Sequence, residues 1–190
     1  PSRDLCLQSI DALDDEPQER SMLELRSRHF PEPLGRSPLG ERAHLEAMTL
    51  ADVQGFWKRT CVPYRSILAV AGRFDWQALK EQVEELLGRW WGTFAEPTPA
   101  ATPPRQVHHV AADTAQVHIA LAYDAVPETH DASILQRAAA AVLSGGMSGR
   151  LFSEVREKRA LCYAVYAAYA GGRDRGAMLG YAGTTAPRAK

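Results

Sequence analysis

Arg156 and Tyr163 stand seven residues apart in GGMSGRLFSEVREKRALCYAVYA, Gly145 to Ala167. The first lies in an amphipathic helical run and the second opens an alternating strand. A guanidinium and a phenol are both hydrogen-bond donors at neutral pH. On residue type alone a plainer account is open. Arg156 is a solvated helix residue among Glu154, Glu157, Lys158 and Arg159, where surface ion pairs contribute about 0–1 kcal/mol. Tyr163 shares a strand face with Val165, Ala167 and Tyr169 and packs there. Histidine, the usual residue for metal and acid–base chemistry, offers less. His29 opens His-Phe-Pro-Glu-Pro, close to motifs that place two histidines on one helical face. Pro33 takes the second position and Pro31 forbids the helix, so no metal role is expected of His29. His108 and His109, neighbours on an expected strand, point to opposite faces; with His118 they are expected at the surface. Ser148 and Ser153 lack the G-x-S-x-G context of an activated serine. GGMSG lacks the lysine and spacing of a phosphate loop. Cys6, Cys61 and Cys162 are far apart and odd in number, which suits buried free thiols better than a ligand set or a disulfide framework. No complete active site is visible.

The bulk properties exclude several classes of partner. The 22 basic and 23 acidic residues nearly cancel and are scattered, leaving no footprint for nucleic acid or an anionic membrane. No apolar run approaches the roughly 18 residues of a membrane span, and no signal peptide is visible. The chain opens on Pro1, as a piece of a longer protein would, so the absence of a targeting signal leaves its compartment unknown, bacterial cytoplasm and periplasm both being compatible.

The elements that must position these residues follow from periodicity. Residues 3 to 30 are expected to be helical in two pieces, broken at DDEP, with Pro17 in the first turn of the second. His29 to Gly40 is a loop. Thr49 and Asp52 form a capping box for a helix carrying Val53, Phe56 and Trp57. Ser66 to Gly72, SILAVAG, is expected to be a fully buried strand. From Asp75 a long helix sets Trp76, Leu79, Val83, Leu86, Leu87 and Trp90 on one face for core packing. Thr93 to Gln106 holds four prolines and makes an extended connector. Beyond it VHHVAAD and AQVHIALAYDAV alternate as strands. Asp131 caps a helix through Leu143 that buries Ile134, Leu135, Ala138, Val142 and Leu143. GGRDRG turns the strand after Tyr163 into a last one, AMLGYAG. The expected partition is 1–95, a connector 96–106, and 107–190.

Three strings together resemble the pitrilysin/insulinase family of zinc metallopeptidases, which includes the mitochondrial processing peptidases. GGMSGRLFSEVREKRALCYAV resembles G-G-x-x-S-R-L-F-x-E-(I/V/L)-R-E-K-x-G-L-x-Y-x-V, with Ala160 where glycine is usual. EPLGRSPLGERAHLEAMT resembles the HPLGR…LG segment, with Glu32 replacing the histidine. CVPYRSILAVAGRFD resembles Y-x-P-x-x-(M/A)-x-L-x-V-x-G-D-x-D, with Arg73 replacing the first aspartate.

The resemblance implies an α+β fold, an antiparallel sheet with helices on one face, built in duplicated halves around a chamber. Residues 1–95 would be the rear of one half and 107–190 the front of the next, a region known as the inactive domain. In this fragment the two pieces would form a permuted half in which the later strands pair with Ser66–Gly72; exchange of parts between two copies, a homodimer, is the competing solution. The family's inverted H-x-x-E-H motif lies upstream of Pro1. The later glutamate that completes the zinc site aligns with Ser9, beside Gln8, and neither is a good zinc ligand. No cofactor is therefore expected in this chain, with zinc in an active partner or elsewhere in the parent. The R-x-x-x-x-x-x-Y element matches Arg156 and Tyr163, which the resemblance makes contacts for the substrate backbone and scissile carbonyl. The implied protein is a non-catalytic domain that handles peptide for a zinc-bearing subunit or domain; a purely structural subunit is the alternative.

Overall fold

A computed structural model of the chain describes residues 2–95, 98, 100–112 and 114–189. It resolves into two compact units, Pro1–Arg42 with Pro99–Lys190, and Ala43–Thr98.

In the first unit, α1 (Ser2–Asp11) runs into a 3-10 turn, Ala12–Asp14, and α2 (Pro17–His29) follows. Pro17 occupies the first turn of α2, where its missing N–H breaks no helical hydrogen bond. Three strands, β1 (Gln116–Ala125), β2 (Ala164–Gly171) and β3 (Gly176–Thr185), form an antiparallel sheet in the order β1-β3-β2. The α+β class with an antiparallel sheet is thus the observed architecture. GGRDRG makes the expected turn between β2 and β3, closed by Gly172 N–H donating to Arg175 O at 2.7 Å. The central strand carries the core: Ala177, Leu179 and Tyr181 alternate along one face of β3 and are buried. The register sets Gln116 opposite Thr185, His118 opposite Gly183, and Ala164 opposite Gly183 on the other side. Helix α6 (Ser133–Ser144) packs on β2, and α2 packs on β1.

The second unit takes in most of α3 (Arg42–Ala47), then α4 (Leu50–Thr60) and α5 (Trp76–Leu87). Thr49 and Asp52 form the expected capping box, and Asp75 caps α5 by accepting from Ala78 N–H at 2.8 Å. Trp90 Nε1–H reaches Cys61 O at 3.2 Å, and Val62 is buried.

Several expectations give way here. Ser66–Gly72 forms no strand, and Ile67 is 92% exposed, so the pairing on which the permuted half depended does not form. An all-apolar run marks a strand flanked by neighbours, and β-structure needs those neighbours to satisfy its backbone. VHHVAAD is likewise irregular, with Val107 fully exposed at 100%; its Asp113 lies outside the described residues. The stripe of α5 is not core, since Trp76, Leu86, Leu87 and Trp90 are all exposed. In α6 only Ala140 is buried, while Ile134, Leu135 and Val142 face out and Asp131 makes no cap. Cys162 alone of the three thiols is buried.

Candidate functional site

The join between α6 and β2 is built differently from a plain helix. Residues Phe152–Glu157 wind as a π-helix, closed by Lys158 N–H donating to Ser153 O at 3.0 Å. Such turns are rare and concentrate at functional sites. The chain leaves this turn through Ala160, whose φ of 49° is left-handed. That region costs an L-residue about 1–2 kcal/mol and suits glycine. Leu161 N–H then returns to Val155 O at 3.0 Å, and Tyr163 N–H pairs with Gly183 O at 3.0 Å, starting β2 against β3.

This path brings Arg156 and Tyr163 to one cavity of about 370 Å³, lined also by Glu157, Cys162, Thr185 and Arg188. Arg156 is exposed, with its guanidinium 4.9 Å from the Phe152 ring centre. Tyr163 is 42% exposed. Its hydroxyl donates to Gln116 Oε1 at 2.6 Å. Beneath it, Gly183 leaves room for the ring: a Cβ there would stand 2.5 Å from Tyr163 Cζ and 2.8 Å from Tyr181 Oη. Tyr181 Oη in turn lies 2.7 Å from His118 Nδ1 and its ring stacks on Tyr166 at 5.3 Å. Burial pushes the Tyr181 phenol well above its ordinary value, helped by the adjacent Tyr163 and Tyr166. Burial also raises the Cys162 thiol, against the positive charge of Arg156. His118, expected at the surface, is instead half-buried on β1, and its Nε2 is buried without a hydrogen-bond partner among the described residues.

A second cluster lies elsewhere in this unit. His29 is buried at the end of α2, with Nε2 3.5 Å from Asp124 Oδ1. Arg105 pairs with Asp124 and donates through Nη1 to His29 O at 2.7 Å. The hydrogen bond from Arg105 holds the Asp124 carboxyl below its usual range. Burial, then the charge of Arg105, lower the His29 imidazole, opposed by Asp124. Asp174 and Arg175 line the same small cavity of about 140 Å³. With a guanidinium already on its carboxylate, the cluster is an ionic clasp between α2, the connector and β1.

The residues present do not fit zinc. Ser9 Oγ, at the position of the expected carboxylate ligand, donates to its own helix at Leu5 O, 3.0 Å away. Among the described residues no group of three or more His, Cys, Asp or Glu side chains is arranged to hold a metal ion. No helix among them is long and apolar enough to cross a membrane.

Residues 47–190 match the family model described as the peptidase M16 inactive domain. The chain belongs to the M16 peptidase family. It is 30% identical over 187 residues to proteins described as uncharacterized zinc proteases of Mycobacterium bovis and Mycobacterium tuberculosis, covering 95% of this chain and 43% of each relative. A Streptomyces coelicolor protein of the same description is 31% identical over 160 residues, covering 79% of this chain and 35% of the relative. The chain thus spans less than half the length of these M16 relatives. The fold is shared with the crystal structure of a peptidase M16 inactive domain from Pseudomonas fluorescens, at a TM-score of 0.81 and 21% identity over 97% of this chain and 46% of that one. It is shared too with a chain of complex III2 from Candida albicans, at a TM-score of 0.78 and 18% identity, over 96% and 46% of the two chains.

Sequence reasoning therefore reached the inactive M16 domain, and singled out Arg156 and Tyr163, which the fold brings to one cavity. Gln116, Gly183, Thr185 and Arg188 escaped it. The one available signal was weak: Gln116 opens the alternating run of β1, but its partner across the sheet depends on register.

Proposed function

We propose that this chain is the non-catalytic, peptide-contacting part of a zinc metallopeptidase, working with a zinc-bearing domain or subunit. In this reading Arg156 holds backbone carbonyls of an extended peptide. Tyr163 donates its hydroxyl proton to the carbonyl oxygen under attack. A phenol with a reference pKa near 10 remains a donor at pH 7. The observation that carries the proposal is the convergence of Arg156, within the π turn, and Tyr163, beyond it, on one open cavity. Half exposure leaves the Tyr163 hydroxyl able to exchange Gln116 for a substrate oxygen. The partition into 1–95 and 107–190, as rear and front of consecutive family halves joined by 96–106, belongs to the same proposal.

Replacing Tyr163 by Phe removes the donor and keeps the ring. In the full-length protein assembled with its zinc-bearing partner, kcat/KM for a fluorogenic peptide should fall by about 10²–10³-fold, the loss seen when one such donor is removed. The zinc-bearing partner assayed alone fixes the baseline. An unchanged rate would leave a structural subunit as the better account.

A further inference from the structure

The cavity that holds Arg156 and Tyr163 contains a second guanidinium that the peptide-contacting role does not use. Arg188 ends the 3-10 turn Ala186–Arg188, which follows β3 directly. With Thr184 and Thr185 it lines the cavity, whose remaining lining comes from residues between 156 and 163. Among the described residues neither Arg156 nor Arg188 has a carboxylate partner, in contrast to Arg28, Arg36, Arg105 and Arg137. Glu157 is the one acidic side chain on the lining, so two cations face one anion and the cavity is net positive. The Thr185 hydroxyl adds a neutral donor, whereas Thr184 Oγ1 is already committed to Leu161 O. Two guanidiniums without carboxylate partners on one concavity are matched to an anionic group with planar, paired oxygens.

We propose that Arg188 is a specificity-determining residue and that the site selects peptides bearing a carboxylate beside the segment held by Arg156 and Tyr163. This rests on the peptide-contacting reading above. It adds a substrate class: peptides with an Asp or Glu side chain, or with a free C-terminus, at that place. Arg188 acts on which peptide is bound, while Tyr163 acts on the carbonyl whatever its neighbours are. The connection through β3 also makes the recognition geometric. Thr185, the last residue of β3, is opposite Gln116, which holds the Tyr163 hydroxyl, so β3 connects the turn that carries Arg188 to the support of Tyr163.

The test measures binding of fluorescein-labelled peptides to the full-length protein in its assembly, with the metal chelated so that peptide is not consumed. Four peptides are used: one sequence with an internal Glu or Gln, each ending in a carboxylate or a carboxamide. Glu over Gln, or acid over amide at the terminus, should favour binding by about two- to five-fold, as for a partly exposed charge pair. Whichever ratio departs from one identifies the source of the carboxylate. Arg188→Gln should bring that ratio to about one, and Arg188→Lys, which keeps the charge but loses the planar fork, should retain only part of it. Equal binding of all four peptides, or a ratio that survives Arg188→Gln, would overturn the proposal. Binding of the Gln carboxamide peptide reports the underlying reading separately. If Arg156→Ala leaves that binding unchanged, the peptide-contacting role of Arg156 fails, whatever the acidic peptides do.

Discussion

Tyr163 is held by two residues that lie far from it in sequence, Gln116 at its hydroxyl and Gly183 under its ring. The pairing of Arg156 with Tyr163 was legible because both belong to one continuous string. Gln116, Gly183 and Arg188 were not, because strands β1 and β3 bring them there and strand register cannot be read from alternation alone. His118 shows the same limit: alternation placed it on a strand, but only the neighbouring Tyr181 explains why it points inward. The role of Gly183 is testable. Adding a methyl group by Gly183→Ala would place a carbon 2.5 Å from the Tyr163 ring. Overpacking of this kind costs about 1–3 kcal/mol where nothing can move. Here the Tyr163 ring is partly exposed and can swing outward, but the buried Tyr181 hydroxyl, 2.8 Å from the same carbon, cannot, so the expected stability loss lies within that range, about 1–3 kcal/mol. The Tyr163 hydroxyl would leave Gln116, and peptide turnover by the assembly should fall as it does for Tyr163→Phe. Circular dichroism melting checks the first outcome and kcat/KM the second. Wild-type turnover in Gly183→Ala would mean that the position of the ring is immaterial.

Helices were the most legible elements, since caps and breakers act locally. Pro17, Thr49 with Asp52, and Asp75 each begin a helix as expected. The π turn at Phe152–Glu157 was not legible, because the same amphipathic spacing suits an α-helix; only Ala160, standing where the string it resembles has glycine, hinted at an unusual exit. His29 illustrates the gap between a motif and its setting. The letters around it suggested a broken metal motif, whereas the structure buries it at the end of α2 beside Asp124 of β1. Burial lowers its pKa, so the folded unit prefers neutral His29 while the unfolded chain titrates near 6.5. The sign follows: this contribution is fully present above pH 6.5 and is lost as pH falls through the lower folded value. Asp124, also lowered, adds acid sensitivity only near and below the carboxylate range, so the two steps separate. Arg105, Asp124, Asp174 and Arg175 share the cavity with the imidazole. The expected outcome is a decline in urea midpoint between pH 7 and 5 that flattens in His29→Gln, with an NMR titration midpoint for His29 below 6.5. A midpoint above 6.5 would show that Asp124 outweighs burial and would reverse the slope.

At the scale of the whole molecule the two units differ in how well each satisfies itself. The unit that holds the sheet buries a continuous strip along β3, whereas the unit spanning 43–98 exposes most of its large apolar side chains. Leu50, Ile67, Leu68, Trp76, Leu86 and Trp91 are all more than 60% exposed. This is why SILAVAG and the α5 stripe misled: their patterns report that the segments are made to be covered, and say nothing about where the cover comes from. A unit of this size buries too little on its own to offset chain entropy comfortably. Apolar surface on this scale is an association surface. The isolated chain is therefore expected to self-associate, with a mass by light scattering that rises with concentration. All four tryptophans, Trp57, Trp76, Trp90 and Trp91, lie in this unit, so their fluorescence follows its burial without interference from the sheet. On association their emission should shift to the blue. Replacing Ile67 and Leu68 by Lys should suppress both effects while leaving the strand signal in circular dichroism intact, since neither residue belongs to a strand. A chain that stays monomeric at high concentration with red-shifted tryptophan emission would show that 43–98 tolerates its exposed surface. Emission already blue in the monomer would show that these side chains are covered within a single chain. In either case the exposed run 66–72 would have to be accounted for without a partner.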